Sequence, residues 1–175
     1  MINAVADFLR YFDAVHRRAI RDVGALPAEA DGWAPAMGNG EKAWSINNIV
    51  GHLGWSRLYF ASAYRGEGWI SPPASDVSRR EFWLPVLEES ARALHAALES
   101  TPDAWLQRKV QMIDSDGALS GWRILMMMLE HDIHHRSQID TYAGINGWDA
   151  PQIYGRTAES IGGLQASQRE KHGRS

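Results

Sequence analysis

The sequence predicts an all-α fold, a four-helix bundle with long loops between its helices, and three observations carry that prediction. Four segments place apolar residues at three- and four-residue steps, stretches rich in Gly and Pro separate them, and no convincing run of alternating strands occurs anywhere in the 175 residues. The length suits one domain, taken as 1–164, with a polar and frayed C-terminal tail at 165–175. Each helix of about 20 residues would span about 30 Å.

Val5, Phe8, Leu9, Phe12, Val15 and Ala19 form one apolar stripe and predict a first helix from Asn3 to Val23. The following GALPAEADGWAPAMGNGEKAW is crowded with Gly, Pro and Asn, and predicts a surface connection with at most a short helical turn. Ser45 then serves as the N-cap of a second helix reaching Tyr64, with His52 in its second turn. GEGWISPPAS at 66–75 breaks the chain, and Ser78 with Glu81 has capping-box spacing ahead of a third helix reaching Ser100, which Pro85 kinks or starts. Thr101-Pro102 reads as a fresh N-cap and first-turn pair, and VQMIDSDGAL as a small extended excursion turning at Asp116-Gly117. Ser120 opens a fourth helix running to Ala143, stopped by Gly144, Asn146-Gly147 and Pro151.

Composition narrows the chemistry. Without cysteine there is no disulfide, no thiolate ligand and no cysteine nucleophile, so any metal must sit on His, Asp or Glu. A net charge of -3 lacks the basic excess that a phosphate backbone demands, and no stretch approaches 18 apolar residues, so neither nucleic acid nor membrane is expected and the chain reads as cytoplasmic. Eight tryptophans stand out: such rings can fill a helical core, yet each buried indole N–H needs a partner, and some are expected to line a pocket.

Within HDIHH, His131 and His135 stand four apart and share one helix face, offset by about 40°. By itself such a pair is more often a surface or hydrogen-bonded core pair than a metal site, and a stable site needs a third ligand from another element. His52, on the second helix amid Ile49, Leu53 and Trp55, is the natural third. His134 is rotated by about 100° from His135 and should miss the metal, whereas Asp132 either orients a ligand or is a solvated carboxylate. His16, His95 and His172 have no partner at ligand spacing and read as structural or exposed. Trp55 and Tyr59, one to two turns beyond His52, are candidates for the border of a substrate pocket, with core packing as the competing role. No phosphate loop, Gly-x-Ser-x-Gly elbow or zincin glutamate occurs, and no catalytic side chain is assigned.

NIVGHLGW around His52, HDIHHRSQ on the fourth helix and the trailing GWDAPQIYG together resemble the DinB-like (DinB/YfiT) superfamily over most of the chain. Ser137 departs from the glycine usual in that motif. The resemblance implies a four-helix bundle whose divalent metal, nickel or zinc, is bound by His52, His131 and His135. Relatives of this kind include thiol S-transferases using bacillithiol or mycothiol, a mycothiol-dependent isomerase and proteins described as metal-dependent hydrolases. It therefore implies a metal-dependent thiol S-transferase that conjugates a low-molecular-weight thiol to an electrophilic small molecule, in which the metal lowers the thiol pKa. The alternatives are a metal-dependent hydrolase, or a non-catalytic, stress-associated binding protein whose metal cross-links two helices. Expected partners are the small-molecule thiol and the electrophile, with a second copy of the chain as a homodimer.

Overall fold

The structure is a computed structural model in which residues 2–149, 152 and 155–172 are described. The apolar stripes become α1 (Val5–Ala25), α2 (Ile46–Arg65), α3 (Trp83–Leu98) and α4 (Gly121–Asn146), with a short hairpin of β1 (Lys109–Gln111) and β2 (Ala118–Ser120) before α4, and α5 (Ala158–His172) after it. α2 lies between α3 and α4, while α1 packs on the same two helices from the other side.

The buried apolar residues fall into two clusters. One joins Phe8, Phe12, Tyr64, Leu94, Leu98 and Met128, and the other joins Val23, Ile46, Ile49, Leu53, Leu87 and Ile139. The first half of α1 therefore meets the second halves of α2 and α3 and the first half of α4, so α2 and α3 run parallel. A parallel neighbour requires a crossover the length of the bundle, and residues 66–82 supply it.

Local chemistry sets the boundaries. Ser45 caps α2 as predicted, its Oγ accepting from the Asn48 N–H at 3.2 Å. α1 begins at Val5, whose N–H donates to Asp103 Oδ1 at 2.8 Å. Ser78 and Glu81 form no capping box: Asp76 Oδ1 accepts from the Ser78 N–H at 2.9 Å, and α3 starts later, at Trp83. Pro85 then lies in the first turn, where a missing N–H costs no hydrogen bond. Thr101 is not a cap either, since its Oγ1 donates back to Leu98 O at 2.7 Å and Asp103–Gln107 coils as a 3-10 helix. The expected excursion is the hairpin, with Lys109 opposite Ser120.

Two 3-10 turns, Ala28–Ala30 and Gly40–Ala43, occupy the connection where at most one was expected. α4 passes through Gly144 and stops at Gly147, whose φ of +66° is the left-handed conformation glycine tolerates, while the Trp148 N–H closes on Ala143 O at 2.9 Å. Pro151 lies outside the described residues. Gly121, at the other end of α4, allows a close crossing: a Cβ there would sit 2.2 Å from Trp105 O. The tail expected to fray from Gln165 is helical to His172, with the side chains of residues 159–172 all exposed. No helix among the described residues is long and apolar enough to cross a membrane.

Candidate metal centre

α2 and α4 bring His52, His131 and His135 together near mid-bundle. His52 Nε2 lies 2.9 Å from His131 Nε2, and His135 Nε2 lies 3.2 Å from the same atom. Burial pushes His131 down to about 3, with the neighbouring imidazoles adding to the shift, and burial also lowers His52 and His135. All three rings are consequently neutral near pH 7, the form in which imidazole binds a metal.

The tautomer of His135 follows from its surroundings. Gln138 Nε2 donates to Glu41 O at 2.8 Å and to Tyr142 Oη at 3.0 Å, and the Tyr142 hydroxyl in turn donates to Lys42 O at 3.0 Å. Because a backbone carbonyl can only accept, the amide nitrogen of Gln138 must face Glu41, which aims Oε1 at His135 Nδ1, 3.1 Å away. Nδ1 thus carries the proton, and Nε2 presents its lone pair to the other two histidines.

A hydrogen bond satisfies one pair among three converging ring nitrogens; a cation satisfies all three. Nitrogen donors bound at about 2.0–2.1 Å to one ion stand about 2.8–3.4 Å apart, from octahedral at the short end to tetrahedral at the long end. The two measured separations fit that range, and neutral imidazole suits zinc and nickel. These residues would hold a divalent metal.

Aromatic rings frame the centre. Trp44 stacks on His135 with centroids 6.0 Å apart and meets His52 edge-on at 4.9 Å, while Trp55 stacks on His52 at 5.6 Å. A cavity of about 440 Å³ opens beside His52, lined by Trp44, Asn48, Trp55, Ser75 and Val77 among others, with no charged side chain. Its far wall is the crossover: Trp55 Nε1 donates to Pro72 O at 3.0 Å, and Asn47 Nδ2 donates to Val77 O at 2.8 Å. Tyr59 stacks on Trp55 at 4.8 Å and packs against Trp69, one ring removed from the cavity lining.

Asp132 neither orients a ligand nor faces water. It is fully buried and accepts from Arg57 Nε at 3.0 Å and Nη2 at 2.8 Å. His134 is exposed, as its rotation predicts, and pairs with Glu41 at 3.4 Å. His95 bonds Asp13 at 2.7 Å, and His16 stacks on Phe12. Ser137 faces solvent, so its departure from glycine obstructs no helix contact among the described residues. Sequence reasoning missed Glu41, in an aperiodic loop, and assigned no role to Gln138, although it stands one turn from His135.

The model of the DinB family matches residues 1–169. No curated protein matches the sequence. Among solved structures, a DinB-like protein from Bacillus cereus ATCC 10987 superposes with a TM-score of 0.69 at 15% identity, covering 87% of this chain and 99% of that one. A DinB-like protein from Bacillus subtilis gives 0.64 at 16%, covering 84% and 97%. At these identities the structural likeness speaks to the fold.

Proposed function

The chain belongs to the DinB family, and on that premise we propose that it is a metal-dependent thiol S-transferase, joining a low-molecular-weight thiol to an electrophilic small molecule. The observation that carries this reading is the convergence of three neutral imidazoles beside an uncharged cavity large enough for a small molecule. A zinc or nickel ion held by His52, His131 and His135 would supply Lewis acidity, lowering a thiol pKa from about 8.5 so that thiolate is available at neutral pH.

The chain has no cysteine, so sulfur comes from the cosubstrate and no covalent protein intermediate is involved. The sulfur electron pair forms the new C–S bond, the thiol proton passes to solvent, and the leaving group departs with its bonding electrons. Trp44 and Trp55 offer flat apolar faces to the electrophile, and Tyr59 buttresses Trp55 from behind. Gln138 holds His135 in the tautomer that leaves Nε2 free.

The test is thiol-dependent turnover against a panel of electrophiles with zinc- and nickel-loaded protein. Turnover should rise with pH until the thiol is ionised and vanish in His131→Ala while the circular dichroism of the bundle is kept. Ester or amide hydrolysis without thiol would assign the site to water chemistry instead, and absence of turnover with every pair would leave a metal that only ties α2 to α4.

A further inference from the structure

We propose that Glu41 is a fourth, exchangeable ligand of the metal centre, a carboxylate arm carried on the 3-10 turn Gly40–Ala43. This rests on the three-imidazole reading above and adds to it a residue from outside the helical bundle.

The first observation is an electrostatic mismatch. Glu41 Oε1 lies 3.8 Å from His135 Nε2, and that nitrogen bears a lone pair because Gln138 fixes the proton on Nδ1. Two acceptors facing each other repel unless a cation lies between them. The other ring near the carboxylate, His134, stands at 3.4 Å with its side chain 65% exposed, a long contact in high dielectric that is worth little. Among the described residues no Arg or Lys pairs with Glu41.

The second observation is that the turn is held while the side chain is free to move. The amide of Gln138 and the hydroxyl of Tyr142 bond the carbonyls of Glu41 and Lys42, and Trp44 lies against the His135 ring. The Glu41 side chain remains half exposed. Glu41 now groups with His134 and His135 and not with His52 or His131, so to join an ion on the three imidazoles its side chain must swing inward from the exposed His134 ring, past its present 3.8 Å from His135 Nε2.

Charge supplies the third argument. Three neutral imidazoles leave the full charge of a divalent ion uncompensated in a half-buried site, and one carboxylate halves it. Because Glu41 arrives from the solvent side, an incoming thiolate can replace it at the same charge, giving a ligand exchange without change in net charge at the centre.

Titration of the full chain with Co²⁺ alone, followed by visible absorption, tests this without reference to activity. Wild type should take up about one ion per chain. Glu41→Gln should bind at least about tenfold more weakly, the loss typical of removing a group that supports a metal, with altered intensity and position of the cobalt bands. His134→Gln should leave both unchanged. A Glu41→Gln protein with wild-type affinity and spectrum would overturn the proposal and leave the three histidines intact. A His134→Gln protein reproducing the Glu41→Gln change would overturn it too, because the carboxylate would then act through the surface pair. Wild type that takes up no cobalt would bring down the histidine site itself.

Discussion

Two polar contacts join α2 to α4 at nearly the same level of the bundle, and they do opposite things. His52 meets His131 and His135 beside an open cavity, whereas Arg57 meets Asp132 with both side chains wholly buried. His131 and Asp132 are sequence neighbours, and the turn of about 100° between successive helical positions sends one toward His52 and His135 and the other toward Arg57. In the interior, Arg57 finds every partner within the protein: besides Asp132, its Nη1 donates to Leu87 O at 2.8 Å and Ser90 Oγ at 2.9 Å. At the cavity, lone pairs converge with no protein group to satisfy them together. The difference teaches that opposite charges close on each other inside the bundle, even with Asp132 Oδ1 left without a hydrogen bond, whereas converging lone pairs call for a cation.

The largest effect expected from breaking this comparison is at the closed pair. Asp132→Ala leaves the Arg57 guanidinium buried without its counter-charge, and should cost about 3–5 kcal/mol in urea denaturation of the metal-free protein. Burial raises the Asp132 carboxyl, and the Arg57 charge and hydrogen bonds oppose the rise, so the pair carries a desolvation cost that Arg57 offsets. Replacing both residues with apolar ones, Arg57→Met with Asp132→Leu, should recover much of that loss. A single-variant loss below about 1 kcal/mol would show that water reaches the pair.

The open set should respond to metal and not to deletion of the buried Asp132 charge. An ion present at 100 times its Kd stabilises the native state by about 2.7 kcal/mol, which for a chain of this length raises Tm by about 5–10 °C. Chelation should remove that increment, His135→Ala should abolish it, and Gln138→Ala should shrink it by loosening the His135 tautomer. If the contrast between the two contacts is sound, Asp132→Ala lowers Tm with and without metal alike. An unchanged melting curve after verified metal loss would mean that the ion does not tie the helices.

What could be read from the sequence follows from periodicity. The helix faces and the His131–His135 pair are legible because a 3.6-residue repeat fixes which side chains coincide, and Ser45 is legible because a cap acts within three residues. Arg57 opposite Asp132 is not, since two charged residues on different helices carry no mark of facing one another. Glu41 sits among Gly, Asn and Lys, where no repeat constrains direction, and the turn that holds it depends on Gln138 and Tyr142 about a hundred residues later. The choice of Gly147 over Gly144 as helix stop was also hidden. Both are glycines, and the longer helix is favoured by the Trp148–Ala143 closure and by Asn146 Nδ2, which donates to Tyr142 O at 2.8 Å.

The smallest effect concerns His16, which flanks the closed layer. Its ring stacks on Phe12 at 5.7 Å, and burial, with the Arg57 charge next, pushes its pKa down to about 4; Asp13 pulls upward and His95 and Arg17 downward. In the unfolded chain the ring titrates near 6.5. Between those values the unfolded state binds a proton that the native state refuses, so this contribution to stability is complete above about pH 6.5, declines as pH falls toward 4, and is flat below. Asp140 acts in the opposite sense, because burial and the neighbouring Asp22 raise it to about 6 and its native carboxyl keeps a proton that the unfolded chain releases. Comparing wild type with His16→Leu cancels the Asp140 contribution, which both proteins share. The substituted protein should lose about 1 kcal/mol less stability between pH 6.5 and 4, a figure kept small because the ring is not wholly removed from solvent. Parallel stability curves for the two metal-free proteins would mean that His16 protonates in place and that the Arg57 layer is more hydrated than its burial indicates.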